Sequence, residues 1–210
     1  MKLYWSQGAC SIGIHLLLEE IGSPYTDQRI MLPNGEQFTP EFKAVNPKSK
    51  VPTLELDDGT VLTEYPAIAF YLARKFPEAN LWPHDLAAQA RVLEAMDFVV
   101  ATVHMRGFAR LFRSSAFLPA DLATDEARLE QTRAAGRQMV DDGFAILDAQ
   151  LAGKEWVAGS YSIADSAVFY VCFWAAKRMN LALPANLAAH FGRMLARPAT
   201  GRMLVAEGLA

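Results

Sequence analysis

The spacing of hydrophobic residues along the chain changes after residue 77. Before that point, short apolar stretches alternate with segments such as Ile14, Leu17, Leu18 and Ile21, whose spacing is typical of one buried helix face. The predicted strands cover residues 2–5, 25–32, 51–56 and 61–63. The predicted helices cover residues 10–21, 41–45 and 65–76. This βαβ, helix, ββ, helix order requires both a parallel and an antiparallel strand pair, so it predicts a small mixed sheet with helices packed on it.

Beyond residue 77 no strand pattern recurs, and alanine and leucine dominate at helical spacing. The predicted helices cover residues 86–117, 124–151, 163–180, 186–196 and 199–206. A short segment with two prolines separates the two halves, as expected of a linker. The sequence therefore predicts an α/β domain over residues 1–77 and an all-α helical bundle domain over residues 85–210.

Composition and charge narrow the possible partners. The 210 residues are 52% hydrophobic and carry a formal net charge of −3, without the basic cluster that nucleic-acid binding needs. No apolar stretch reaches the roughly 20 residues that cross a bilayer, and the first residues lack the apolar core of a signal peptide. We therefore expect a cytoplasmic protein with neither nucleic-acid nor membrane partners. The two cysteines and four scattered histidines predict no metal site.

Cys10 is the first candidate for chemistry. It lies in a polar junction between a loop and a predicted helix, where free backbone N–H groups would lower the pKa of a thiol below roughly 8.5. Gly13 occupies the position of a resolving cysteine, so a dithiol mechanism is excluded and redox chemistry would need an external thiol. The alternative is that Cys10 is a small buried apolar residue, which is our interpretation of Cys172.

Other candidates have two interpretations each. The backbone N–H of Tyr65 begins a predicted helix and would face an anion docked there, or the acidic residue before it only favours the helix dipole. Asp97 and His104 lie seven residues apart on one helix face, either in a site or as structural groups. A stripe of basic residues on the same helix is interpreted as a solvated face and comprises Arg106, Arg110 and Arg113.

Several motifs, in order along the whole chain, carry a family resemblance. They are MKLYWSQGACSI, NPKSKVPTLELDDGTVLTE over residues 46–64, AIAFYLA from Ala67, Ser162-x-x-Asp165, and ARPATGRM near the C-terminus. With these motifs the chain resembles the cytosolic glutathione S-transferases, most closely the bacterial beta class. The resemblance implies a thioredoxin-like N-terminal domain followed by an all-helical domain, with glutathione as co-substrate.

The resemblance also assigns roles to residues that bind glutathione. The residues alone favour an ordinary trans Val51-Pro52 bond at the start of a strand. The resemblance implies a cis bond instead, with the Val51 backbone paired to the cysteinyl part of glutathione. Glu64 and the Tyr65 N–H would take the γ-glutamyl ammonium and carboxylate. The family's usual loop lysine is absent, so Lys50 is the candidate for the glycyl carboxylate, and the serine hydroxyl that usually follows the glutamate is replaced by Tyr65.

The remaining roles concern the sulfur and the partner subunit. Cys10 would meet the glutathione sulfur, Ser11 could donate a hydrogen bond to it, and His104 would line the active site. Asp97 would reach across a homodimer to the neighbouring subunit's glutathione.

Three functions follow from these features. The leading prediction is a transferase that conjugates glutathione to small apolar electrophiles in a cleft lined by Phe108, Phe112 and Phe117. The second is a glutathione-dependent thiol redox enzyme or lyase that forms a mixed disulfide at Cys10. The third is a binding module of the same fold without catalytic activity.

Overall fold

A four-stranded mixed sheet forms the core of the N-terminal part of the chain. The computed structural model describes all 210 residues. The strands are β1 (Lys2–Trp5), β2 (Thr26–Arg29), β3 (Thr53–Glu55) and β4 (Val61–Thr63). Their order is β2-β1-β3-β4, with β1 parallel to β2 and antiparallel to β3, and β3 antiparallel to β4. The predicted mixed sheet is confirmed, although β2 and β3 are shorter than predicted.

Three helices accompany this sheet at the predicted places. They are α1 (Ser11–Ile21), α2 (Pro40–Val45) and α3 (Tyr65–Lys75). Gly22 ends α1 in the left-handed conformation, with φ 70°, as glycine does without a steric penalty. The side chain of Thr39 accepts a hydrogen bond from the Phe42 N–H and so caps α2, which satisfies one of the free donors of its first turn.

The rest of the chain is helical. The α-helices are α4 (Leu86–Asp97), α5 (Ala109–Phe112), α6 (Glu126–Leu151), α7 (Ile163–Phe173), α8 (Ala185–Leu195) and α9 (Pro198–Glu207). A π-helical segment, Phe98–Phe108, joins α4 to α5, and a second one, Trp174–Arg178, extends α7. The continuous helix predicted over residues 86–117 ends at Phe112 because the Arg113 backbone leaves the helical region. No helix combines the length and hydropathy needed to cross a membrane.

Two features of the helical part position the residues of the candidate site: the buried helix α7 and the close contact of α6 with the first π-helical segment. Every residue of α7 is buried, and the predicted capping box at its start is confirmed, because Ser162 and Asp165 satisfy each other's backbone donors. Helix α6 approaches the first π-helical segment so closely that a Cβ on Gly136 would lie 2.9 Å from the Gly107 carbonyl oxygen. This contact holds the helix that carries His104 in place.

Candidate functional site

The loop between β1 and α1 brings Cys10 against the turn before β3. Cys10 is the N-cap residue of α1, and its thiol donates a hydrogen bond to the Val51 carbonyl oxygen over 3.4 Å. The Val51-Pro52 bond is cis, which confirms the prediction. Sequence positions 41 residues apart thus meet at one point.

Asn46 organises the loop that presents Val51. Its buried side-chain amide donates to the Lys50 carbonyl and to the Thr53 hydroxyl, each over 2.9 Å, and its side-chain oxygen accepts from the Lys48 N–H. An amide that satisfies both sides of a loop in this way holds the loop rigidly. Asn46 therefore fixes the conformation of the loop that carries Val51.

The expected lowering of the Cys10 pKa is wrong. Burial is the largest influence and raises the pKa of this thiol to about 12, outweighing the backbone N–H groups of Cys10 and Ser11 and the Lys50 charge, which lower it. The Glu64 charge adds a smaller increase. Because desolvation disfavours a thiolate more than the helix end favours it, Cys10 is a neutral thiol at physiological pH.

The role predicted for Ser11 is also wrong. Its side chain is fully buried, and its hydroxyl donates to the Ser6 carbonyl over 3.2 Å and accepts from the Ser6 N–H over 3.1 Å. Both bonds close the β1–α1 loop on itself. The hydroxyl proton is therefore already used within the loop that carries Cys10.

The start of α3 carries the second group of candidates. Glu64 is exposed and has φ 70°, a left-handed conformation that costs a non-glycine residue energy and is often found at functional sites. Its carboxylate pairs with Lys48 over 2.9 Å. The first N–H groups of a helix have no intrahelical partner, and Pro66 has no N–H, so Tyr65 and Ala67 supply the free donors.

The Tyr65 side chain points away from these donors into the core. Its hydroxyl lies 2.7 Å from the Ser166 hydroxyl of α7, and its ring packs so closely on Gly13 that a Cβ there would lie 2.4 Å from the Tyr65 oxygen. The sequence analysis noted Gly13 only because it stands where a resolving cysteine would. The structure shows that the Tyr65 side chain leaves room for no residue larger than glycine there.

His104 lies in the first π-helical segment, a type of distortion that is frequent at functional sites. Its Nδ1 is 3.2 Å from the Tyr170 hydroxyl, and its ring meets the Trp174 ring at 4.7 Å between centroids. Burial, followed by the charges of Arg113 and Lys50, lowers the pKa of His104 to about 4. The imidazole is therefore neutral at physiological pH.

Lys50 lies near two of the predicted site residues, Cys10 and His104. Lys50 is exposed, and its charge lowers the pKa of both Cys10 and His104, so it borders the cleft between them. Asp97, at the end of α4, is exposed and lies outside this group.

The aromatic wall of the cleft differs from the predicted one. Phe108 is fully buried and stacks beneath Phe112, whereas Phe112 is 43% exposed and packs edge-on against Trp174 at 5.3 Å. Phe117 is exposed but lies against Arg110. Sequence reasoning missed Trp174 and Tyr170 because both stand in an apolar run that is typical of a core helix.

Comparison with known proteins decides the family. The family model described as "Glutathione S-transferase, N-terminal domain" matches residues 8–75. Glutathione S-transferase GstA of Escherichia coli O157:H7 is 33% identical, and the alignment covers 100% of both chains. The chain belongs to the glutathione S-transferase family.

Solved structures of the glutathione S-transferase family agree with this assignment. A sphingomonad glutathione S-transferase complexed with glutathione is 35% identical, with a TM-score of 0.82 and full coverage of both chains. The bacterial beta class glutathione S-transferase of Sphingomonas chungbukensis is 34% identical, also with a TM-score of 0.82 and full coverage. The predicted fold, a thioredoxin-like domain followed by a helical domain, is confirmed.

A separate cavity of about 550 Å³ lies behind the β1–α1 loop of this glutathione S-transferase. Its walls include Gln7, Phe173, Arg178 and Leu204. None of the predicted glutathione-binding residues lines it. The cleft at Cys10 and not this cavity is therefore the candidate active site.

Proposed function

We propose that the protein is a glutathione transferase that conjugates glutathione to small apolar electrophiles. The observation that carries this proposal is the meeting of three segments at one point. The Cys10 thiol is hydrogen-bonded to the Val51 carbonyl, and the charges of Glu64 and Lys50 both act on that thiol. Membership of the glutathione S-transferase family, with a glutathione complex known for a relative at 35% identity, supports the same proposal.

Each part of glutathione has a candidate partner in this arrangement. Glu64 would take the ammonium of the γ-glutamyl group in exchange for Lys48, and the N–H groups of Tyr65 and Ala67 would take its carboxylate. The Val51 backbone would pair with the cysteinyl residue, and Lys50 would bind the glycyl carboxylate. The sulfur would then lie between Cys10 and His104.

Catalysis would consist of positioning and of stabilising the glutathione thiolate. His104 is neutral and can donate a hydrogen bond from Nε2 to the sulfur without adding a charge. The thiolate would attack the electrophilic carbon beside Phe112 and Trp174, and holding the two reactants in one cleft removes the entropy cost of their encounter.

Steady-state conjugation of glutathione to 1-chloro-2,4-dinitrobenzene tests the proposal. Glu64→Gln removes the charge that would hold the ammonium, so the glutathione KM should rise about tenfold, the size expected for one charged hydrogen bond. Glu41→Gln, on the exposed surface of α2, is the matched control. Retention on immobilised glutathione without conjugation would identify a binding module. The absence of both retention and conjugation would overturn the proposal.

The redox alternative depends on the reactivity of Cys10. A mixed disulfide with oxidised glutathione requires thiolate attack, and the raised pKa of Cys10 disfavours it. We expect little glutathionylation at pH 7 by intact-mass spectrometry, with Cys10→Ala as control. Rapid formation of an adduct at Cys10 would favour the redox enzyme.

We further propose that the protein acts as a homodimer in which Asp97 faces the partner's glutathione. Exposed apolar side chains on α3 and α4 support such an interface; they are Phe70, Leu86 and Leu93, between 44% and 78% exposed. Light scattering should give about 46 kDa, twice the 23.1 kDa of one chain, and Leu93→Glu should lower the mass. A mass of one chain at micromolar concentration would contradict the dimer.

A further inference from the structure

Three basic side chains without a carboxylate partner lie near His104 and the aromatic wall of the cleft. Lys50, Arg113 and Arg178 take part in none of the ion pairs of the protein. The chain as a whole carries a net charge of −3, whereas the charges that act on His104 are both positive, those of Arg113 and Lys50. A concentration of one sign in a cleft attracts ligands of the other sign.

Arg178 lies between the separate cavity, which it also lines, and Phe112 of the aromatic wall. Its guanidinium donates to the Gly8 carbonyl over 3.1 Å and lies 5.7 Å from the centre of the Phe112 ring. Phe112 in turn packs on Trp174, which contacts His104. One bond to Gly8 leaves four of the five guanidinium N–H donors for other partners.

Arg113 follows Phe112 at the end of the helix that carries His104. Its side chain makes no hydrogen bond and is exposed. Its charge acts on His104 together with that of Lys50, and no acidic side chain offsets them there. The nearest buried carboxylate to Gly8, that of Glu207, is already bonded to the Gly8 N–H and to His15.

We propose that the electrophile is an aromatic compound that carries a carboxylate, with its ring against Phe112 and Trp174 and its carboxylate held by Arg113 and Arg178. This inference rests on the proposed transferase function and names its substrate class. A planar guanidinium binds a carboxylate through two parallel hydrogen bonds, and aromatic rings pair with offset or edge geometry. Lys50 remains available for glutathione.

A suitable probe is 4-chloro-3,5-dinitrobenzoate. The glutathione thiolate forms a bond to the ring carbon that carries chlorine, and the C–Cl bond then breaks, so that chloride leaves with the electron pair. The proton of the glutathione thiol passes to the buffer. The methyl ester of the same acid reacts by the same steps but carries no charge, which makes it the matched neutral substrate.

The experiment compares kcat/KM for the acid with kcat/KM for the ester in each variant. In the wild type we expect the acid to be favoured after correction for the uncatalysed rates. Arg113→Gln should lower the acid-to-ester ratio about tenfold, as loss of one charged hydrogen bond predicts. Arg178→Lys, which keeps a donor for Gly8 but loses the bidentate geometry, should also lower it. Arg106→Gln, an exposed arginine on the same helix, is the control and should leave the ratio unchanged.

The outcomes separate this inference from the transferase function itself. Conjugation of the ester with an equal or lower kcat/KM for the acid would overturn the anionic substrate class and leave the transferase function intact. A ratio that Arg113→Gln does not change would overturn the role of Arg113. Absence of conjugation with both compounds would overturn the transferase function, and the unreactive 3,5-dinitrobenzoate, titrated against Trp fluorescence, would then show whether the cleft still binds the anion.

Discussion

At the scale of single residues, the orientation of the His104 ring depends on Tyr170. The Tyr170 hydroxyl makes no other hydrogen bond, and burial raises its pKa well above the ordinary value of 10.0, so it keeps its proton. If the hydroxyl accepted from Nδ1, its proton would be buried without an acceptor, which is costly. Tyr170 therefore donates to Nδ1, and the imidazole proton is placed on Nε2. Tyr170 is a positioning residue for His104.

Tyr170→Phe tests this assignment. Without the hydroxyl, nothing fixes the imidazole proton, so we expect His104 to change from the Nε2–H tautomer to a mixture. Nitrogen-15 NMR of labelled histidine distinguishes the two tautomers directly. Tyr161→Phe, which removes a hydroxyl bonded to Glu20, is the control, and a tautomer unaffected by Tyr170→Phe would contradict the assignment.

The low pKa of His104 also predicts how stability depends on pH. The folded pKa of about 4 lies below the ordinary 6.5, so below pH 6.5 the unfolded chain binds a proton that the folded protein does not. The contribution of His104 to the unfolding free energy is therefore complete above pH 6.5. It is lost as the pH falls to 4, a change of about 3 kcal/mol.

His104→Asn removes this titration but keeps an acceptor for the Tyr170 hydroxyl. The difference in unfolding free energy between wild type and variant should shrink by about 3 kcal/mol from pH 7 to pH 4, measured by urea unfolding. His84→Gln, at an exposed histidine, serves as the control. A difference that stays constant with pH would show that His104 is not held neutral by burial.

At the scale of the elements, the contact of α1 with α3 and α7 depends on one glycine. A Cβ at Gly13 would lie 2.4 Å from the Tyr65 oxygen and 2.8 Å from the Ser166 carbonyl oxygen. These distances are shorter than any real Cβ contact, so the helices could not keep their separation. The Tyr65 side chain of α3 therefore fits only a glycine at position 13 of α1, three residues after Cys10.

Gly13→Ala should destabilise the protein by about 3 kcal/mol through overpacking. In a Tyr65→Ala background the cost of Gly13→Ala should fall, because the nearest atom is gone, although the Ser166 carbonyl remains. Urea unfolding of the four proteins of this double-mutant cycle measures the coupling. Equal costs in both backgrounds would mean that Tyr65 is not the residue that requires glycine.

The sequence predicts the elements better than it predicts the side-chain environments. Strand and helix order follow from hydrophobic spacing, and the capping box follows from a local motif. The cis Val51-Pro52 bond follows only from the family resemblance. The pKa of Cys10 and the direction of Ser11 follow from none of these, because burial and hydrogen bonds from distant parts of the chain decide them. Trp174 and Tyr170 are missed for a related reason, since an apolar helix buried on all sides gives no sign of which side chains reach a cleft.

At the scale of the whole molecule, the C-terminal helix holds the loop that carries Cys10. The Glu207 carboxylate of α9 accepts from the Gly8 N–H over 2.8 Å and lies 3.0 Å from His15 Nδ1. From the other side, Trp174 and Arg178 both donate to the Gly8 carbonyl. Both backbone polar groups of Gly8 are therefore bonded by the helical part of the chain, and the shape of the glutathione cleft depends on the docking of the two parts.

Glu207→Ala tests this dependence. The variant leaves the buried Gly8 N–H and His15 without their partner, so we expect a loss of about 2–4 kcal/mol of stability in urea unfolding. Because Trp174 and Arg178 still hold the Gly8 carbonyl, the fold should persist, while amide hydrogen exchange should quicken in residues 7–10 and the glutathione KM should rise. Val205→Ala, at an exposed position of the same helix, should change none of these quantities. If Glu207→Ala loosened α9 alone and left exchange in the loop unchanged, the carboxylate would stabilise the C-terminus without acting on the site.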